Sequence, residues 1–395
     1  MVTDSWRTSE RFITIALRYA VGRRQFQKKK GDGAENQLIN YNLHQRRLIP
    51  YLAWTYAMSV ASHEIQRVYK ETLDNLDEGV DTQDFEKLKS GIDQLKNLFG
   101  DSASLKSTCT WTCLSLIEEC RQSCGGHGYS AYAGFAKGFE DHAVQCTWEG
   151  DNNVLAQNSG RITIQKIKAG PKAFKGSYGF LAGAFKDGEV LQNEKSLNDL
   201  QQLLTAFNSV ILRIGTDSLS KLDRLGNDWD AIAAEKLVLS KLYAIRYMLG
   251  HWVARLDTLC SDCGGVDEYL VKLAKIFALS NIETFASWFL TTGVLSNTTC
   301  KKTSEVLDSL LLEVRPHVIG LTDSFKFSDY FINSVLGAHN GDVYNNYLKT
   351  VKLHNDPTST KAPYDGALQN LLNRGDVDAR EKFERSEAVL KKLSN

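Results

Sequence analysis

Only five prolines interrupt the 395 residues of this chain, and proline is the residue that most firmly ends helices. Apolar residues recur mostly at three- and four-residue spacings, which line one face of a helix. Together these features dictate an all-α fold with no strand-rich region. The length is sufficient for a large core and two or three domains. Forty-seven basic residues balance forty-seven acidic ones, so no net field favours nucleic acid or an anionic membrane surface. No apolar run approaches the roughly 18–20 residues that cross a bilayer, so no membrane span is expected. Eight cysteines in a large chain without a secretory h-region point to reduced thiols in an intracellular compartment.

Along the chain, Phe12, Ile15, Ala16, Tyr19, Ala20, Arg23 and Phe26 form one stripe of a helix expected over Ser9 to Gln27. A second helix is expected from about Asn42 to Tyr69, broken or started near Pro50, with Leu52, Tyr56, Val60, His63 and Val68 facing inward. A charged amphipathic segment at 81–99 and a helix from Ser102 to Ser123 complete a four-piece bundle. Further helices are expected over Gly134 to Cys146 and from Asp151 to Ala169. The stretch "GPKAFKGSYGFLAGAFKDG" (170–188) is rich in Gly and Lys and has no sustained period, as in a linker. The expected division is therefore 1–169, a linker at 170–195, and a second helical domain at 196–395. That second domain opens on Ser196-Leu197-Asn198-Asp199, which reads as a capping box. Its further helices are expected at about 228–256, 266–293, 302–314, 340–353 and 363–392.

Several residues could carry chemistry. Glu149 stands just ahead of the polar run Asp151-Asn152-Asn153, which would cap a helix through its free N–H groups. The positive end of that helix dipole favours an ionised carboxylate, which suits a base. Spacing alone nevertheless favours an ordinary surface residue beside a cap. The glycines of "GGHGY" (125–129) allow close backbone approach to a ligand. They also end helices, and no βαβ unit surrounds them as a dinucleotide fingerprint requires. Cys109, Cys113, Cys120 and Cys124 fall on one helix face and read as core thiols rather than metal ligands, so no metal site is assigned. Cys260 and Cys263 have C-x-x-C spacing without a second pair or a redox context. His127 could line a pocket or end a helix. Arg23 and Arg24 could satisfy helix-terminal carbonyls or grip a diphosphate, and periodicity does not decide between them.

Three stretches, "RYAVGRRQF" (18–26), "RQSCGGHGY" (121–129) and "TWEGDNNVLAQNSGR" (147–161), resemble, in order and spacing, motifs of the acyl-CoA dehydrogenase and acyl-CoA oxidase superfamily. A fourth, "IGLTDSFKFSDYFINSVLGAHNGDVYNNYL" (319–348), resembles the C-terminal helical domain of peroxisomal acyl-CoA oxidases. The resemblance covers nearly the whole chain. It implies an acyl-CoA dehydrogenase-type C-terminal helical bundle followed by a second, acyl-CoA oxidase-type helical domain. The N-terminal helical and β-domains of the family have no counterpart in it.

The activity this implies is oxidation of a fatty acyl-CoA to the trans-2-enoyl-CoA. FAD takes the β-hydride and O2 reoxidises it, giving hydrogen peroxide, in the first step of peroxisomal β-oxidation. Carried over by motif, Glu149 matches the base that removes the α-proton, and Trp148 and Gly150 would border the substrate pocket. Arg23 and Gln25 match positions holding the ADP part of FAD, usually that of the partner subunit, so a homodimer is implied. Gln122, Gly125 and Gly126 match the turn whose backbone approaches the cofactor, and Asp151 and Asn153 match polar positions after the base. Asp151 stands where dehydrogenases generally have Thr, and a carboxylate beside a diphosphate is unfavourable unless it caps the helix instead. The terminal Lys392-Leu393-Ser394-Asn395 is only loosely similar to the Ser-Lys-Leu peroxisomal address, as in fungal oxidases imported without it. The alternatives are a non-catalytic helical subunit of an oxidase assembly and, disfavoured by the extra helical domain, an acyl-CoA dehydrogenase.

Overall fold

The computed structural model describes residues 1–27, 31, 33–258, 265–355, 358, 361, 364–372 and 379–393. Met1–Val343 forms one compact unit and Tyr344–Asn395 a second. Among the described residues the fold is helical, and the only extended pairings are two isolated bridges, Arg24 with Gln37 and Leu191 with Leu295. Cys260 and Cys263 lie outside the described residues, as do the terminal Ser394 and Asn395.

Helix α1 (Val2–Gly22) begins seven residues before its apolar stripe suggests, and it ends before Arg23. Phe12, Ile15, Ala16, Tyr19 and Ala20 are buried as the spacing predicts, whereas Phe26 is exposed with a positive φ. Helix α2 (Asn42–Asp81) runs unbroken through Pro50. It buries Leu52 and Val60 but leaves His63 exposed, and Glu64 takes the inward place instead. The charged segment and the fourth expected helix are one helix, α3 (Phe85–Ser123), capped by Asp84, which accepts from the Glu86 and Lys87 amides. Gly100-Asp101-Ser102 between the two stretches are cap-type residues, but Asp101 turns inward to the Tyr243 hydroxyl and Ser102 donates to the Phe99 carbonyl, so neither caps a new helix and α3 runs through.

Short helices α4 (Gly125–Tyr129) and α5 (Phe135–Ala143) follow, then α6 (Asn152–Ala169). The "GGHGY" string is thus a helical turn. It fits because a side chain on Gly128 would place its Cβ 2.0 Å from the Arg121 carbonyl oxygen. The Gly- and Lys-rich stretch after α6 forms 3-10 turns with Tyr178 fully buried and stacked on Tyr243, their rings 4.9 Å apart.

Beyond it lie α7 (Glu194–Leu197), α8 (Leu200–Arg224), α9 (Ala233–Leu256), α10 (Val266–Thr284), α11 (Ala286–Thr291), α12 (Asn297–Val314), α13 (Val318–Asp323) and α14 (Asp329–Ile332). The capping box falls on Asn193 and Ser196, and Asp199 instead caps α8 through the Gln201 and Gln202 amides. The core joins α1, α2 and α3 to one another, α3 to α6, α6 to α9, and α9 to α8. The second unit carries α15 (Val343–His354), of which Val343 belongs to the first unit, together with α16 (Asp365–Leu372) and α17 (Ala379–Leu393).

Asp101 of α3 is 2% exposed and accepts a 2.5 Å hydrogen bond from the Tyr243 hydroxyl. Burial pushes its carboxyl up to about 6, against the pull of that hydrogen bond and of Lys166. An unfolded aspartate holds its proton less tightly, so the folded state gains stability as pH falls from about 6 towards 4 and loses it as pH rises. Asp101→Asn keeps an oxygen for Tyr243 and removes the titration. The variant should be more stable than the parent at pH 7, by up to about 3 kcal/mol, and should lose that advantage by pH 4. Urea unfolding at both pH values measures it, and a parent-like pH profile in the variant would refute the assignment.

Candidate active site and cofactor cradle

The residues selected from the sequence gather in two places. At the end of α1, Arg23 and Gln25 lie on a short extended segment. The Gln25 amide donates to the Asn36 carbonyl (2.9 Å) and the Leu38 amide to the Arg23 carbonyl (3.0 Å). The Gln37 side-chain amide donates to the Val21 carbonyl (2.8 Å) and so satisfies a helix-end acceptor. Arg24 turns to the Glu35 carbonyl (3.1 Å). Arg23 instead lines a cavity of about 440 Å³ together with Gln25, His44, Arg47, Gln122 and the Gly125–Gly126 backbone. Gly125 has φ +59°, and a Cβ added at either glycine would meet nothing within 4 Å, so the main chain there faces open space.

The polar groups around this cavity are ordered by their neighbours. The Gln122 amide donates to Glu118 (2.7 Å), which also accepts from Arg121 (2.6 Å). Arg121 holds the Glu118 carboxyl down at about 2. Arg47 pairs with Glu119. Burial, assisted by Arg47, pushes His44 down to about 4, and its buried Nε2 has no hydrogen-bond partner among the described residues. His127 Nδ1 lies 2.9 Å from the Tyr19 hydroxyl, at the cavity wall. Nothing in the spacing singled out His44 or Arg47, because α2 brings them in from a stretch that reads as plain amphipathic helix.

The second place is the entry to α6. Asp151 caps the helix through Oδ1, accepting from the Asn153 (2.8 Å) and Val154 (3.3 Å) amides. That is the role which an unfavourable carboxylate–diphosphate pairing leaves for it. Trp148, Glu149, Gly150 and Asn153 are exposed. Glu149 and Gly150 both have positive φ, +50° and +107°, a conformation uncommon for glutamate and costly to hold.

What holds this turn is Lys106, a residue the sequence reading missed. Its Nζ donates to the Gly150 carbonyl (2.7 Å) and to Asn152 Oδ1 (2.8 Å). Asn152 is wholly buried and donates in turn to the Thr110 hydroxyl (2.9 Å). Burial pushes the Lys106 ammonium down, while Cys146, Asp151 and Glu149 pull it the other way. A signal did exist: Lys106 is the only charged residue between Asp101 and Glu118. Lys106→Met should cost about 2 kcal/mol by leaving two acceptors without their donor, and it should speed amide exchange across residues 150–155. Unchanged exchange there would remove Lys106 from this role.

The two places do not meet within one chain. The Trp148 indole donates to Gln145 (3.1 Å), and Gln145 donates to Asp4 (2.9 Å) at the start of α1. The Arg23 cradle lies at the other end of that 21-residue helix, about 30 Å away along its axis. Among the described residues no group of three His, Cys, Asp or Glu could hold a metal ion, and no helix is long and apolar enough to cross a membrane. Cys109, Cys113, Cys120 and Cys124 are buried in α3 and just after it, as core thiols.

Comparison with known proteins decides the family. The family model "Acyl-CoA oxidase, C-alpha1 domain" matches residues 1–164, and the model "Acyl-CoA oxidase" matches residues 199–373. The chain belongs to the acyl-CoA oxidase family. It is 47% identical to an acyl-coenzyme A oxidase of Komagataella pastoris, over all of this chain and 58% of that protein. The identity is 44% to the Debaryomyces hansenii enzyme, over all of this chain and 57% of its length. The chain thus spans little more than half the length of these oxidases. Solved acyl-CoA oxidase 3 from Yarrowia lipolytica superposes with a TM-score of 0.86 at 37% identity, over 96% of this chain and 55% of that one. A Caenorhabditis elegans acyl-CoA oxidase-2, 25% identical with a TM-score of 0.78 over all of this chain and 56% of its own, is bound with FAD, ascaroside-CoA and ATP.

Proposed function

We propose that this chain supplies the base and part of the FAD site of an acyl-CoA oxidase that converts a fatty acyl-CoA and O2 to the trans-2-enoyl-CoA and hydrogen peroxide. The observation that carries this reading is the convergence of Arg23, Gln25, Gln122, Gly125 and Gly126 on one cavity. These residues come from segments about a hundred positions apart, and their chemistry suits a dinucleotide. Guanidinium groups and bare backbone amides bind a diphosphate, and the open faces of both glycines leave the main chain accessible. When bound, FAD supplies the acceptor for the β-hydride.

Glu149, at the α6 entry, takes the α-proton, and its backbone N–H stabilises negative charge as it develops on the thioester oxygen. Trp148 and Gly150 border the reacting carbons. Lys106 and Asn152 fix the turn that aims the carboxylate, while Asp151 holds the helix behind it and Asn153 faces the cofactor side. The distance between the two clusters along α1 favours a homodimer, in which the Arg23 cradle of one subunit serves the Glu149 of the other. We assign the chain to the peroxisome with its family. We keep the division into 1–169, a linker at 170–195 and 196–395 as a proposal.

The test is to purify the chain and measure flavin absorbance and acyl-CoA-dependent peroxide release, with and without the N-terminal half of a related oxidase supplied in trans. Flavin retention and peroxide in the complemented sample are expected. Flavin-free, inactive protein after complementation would instead make this a non-catalytic helical subunit.

A further inference from the structure

We propose that a second cavity, on the opposite side of α3 from the Glu149 turn, binds a planar aromatic molecule bearing an anionic group. It lies among α2, α3, α9, α10 and α12, is open to solvent on one side and has a volume of about 450 Å³. Lys106, which supports Glu149, and Thr108, which lines this cavity, are two residues apart on one helix and so about 200° apart around it. The cavity is therefore separate from the base and does not depend on the flavin reading.

Three aromatic side chains, Tyr51, Trp54 and Trp111, form its walls. Trp54 is fixed edge-on against Phe277, their centroids 4.8 Å apart. Such faces favour a ring that can stack or meet them edge to face. Pro50, also in the wall, lacks the N–H that would close the helical bond to the Arg46 carbonyl.

The polar groups specify the rest of the ligand. Two cations line the cavity, and they differ. Arg46 is engaged by Asp308 (2.6 Å) and by Glu283 (3.2 Å), a carboxylate that also lines the cavity and is neutralised there by Arg46. Lys241 lies over the Trp111 ring, its Nζ 4.9 Å from the centroid, and has no carboxylate in ion-pair range among the described residues. Burial pushes its ammonium down, and no acidic neighbour offsets this. An apolar ligand would leave Lys241 unpaired in a drier site. An anion without a ring would leave the aromatic walls uncovered. A ring carrying a carboxylate, sulfonate or phosphate satisfies Lys241 by a charge-assisted hydrogen bond and covers the walls together.

The test uses naphthalene-2-carboxylate and its neutral isostere naphthalene-2-carboxamide, titrated into the 395-residue chain by calorimetry. Saturable carboxylate binding, about tenfold tighter than the carboxamide, is the expected result. Lys241→Met should bring the two ligands to equal affinity, Lys241→Arg should restore the preference, and Trp111→Ala should weaken both. Should Trp111→Ala fail to fold by circular dichroism, the Lys241 pair carries the test alone. No saturable binding, equal affinities in the parent, or a preference that survives Lys241→Met would overturn the proposal.

Discussion

Glu149→Gln is expected to abolish turnover, by about 10³-fold or more, in the chain complemented with an oxidase N-terminal half, while flavin stays bound. The amide keeps the size and the acceptor oxygen of the carboxylate but cannot take a proton, so the loss reads the base itself. Retention of flavin is expected because Glu149 lies at the α6 entry, whereas the Arg23 cradle is at the far end of α1. The turn should survive the change, since Lys106 grips the Gly150 carbonyl and Asn152 rather than the Glu149 side chain. Peroxide release and the flavin-to-protein absorbance ratio measure the two outcomes separately. Wild-type turnover would reject Glu149 as the base, and lost flavin would mean that the substitution acts through folding.

How far the sequence anticipated this arrangement depended on the distance over which each signal acts. Hydrophobic period is local, so the helices and their buried faces were legible: Phe12, Ile15 and Ala16 lie inward, and the thiols of α3 are core. Joints between helices depend on where cap-type side chains turn, and the unbroken passage through residues 99–102 could not be read because Asp101 turns to Tyr243, 142 residues away. The capping residue Asp151 was visible because its amide partners are two and three positions away.

The candidate cofactor residues were found by motif, and their convergence depends on tertiary packing that no spacing encodes. Lys106 was missed for the same reason, since its acceptors are 44 and 46 residues away. The positive φ of Glu149 was also hidden, because the sequence marks such backbone only where glycine supplies it. The end-to-end distance between Glu149 and the Arg23 cavity was set by the length of α1, which exceeded its apolar stripe.

Gly160→Ala carries the other large expected effect, because α6, the helix that follows Glu149, lies close against α9 at this residue. A Cβ on Gly160 would stand 2.0 Å from the Lys236 carbonyl oxygen, which is backbone and has no rotamer to change. Around this contact the Ser159 hydroxyl donates to that of Ser240 (2.6 Å), and Gln157 donates to the Ala233 carbonyl (2.8 Å). Separating the helices breaks these bonds as well. Alanine's better helix propensity returns about 1 kcal/mol, so a net loss of about 3 kcal/mol or more is expected. Gly215→Ala is the matched control at the α6–α8 contact. The nearest atom to its added Cβ is Ile167 Cδ1 at 2.2 Å, the far end of a side chain that can turn away. That substitution should cost less than about 1.5 kcal/mol. Urea unfolding of both variants decides the matter. Equal small losses would mean that α6 can shift along α9 without penalty, leaving the Lys106 and Asn152 bonds as what fixes the turn at Glu149.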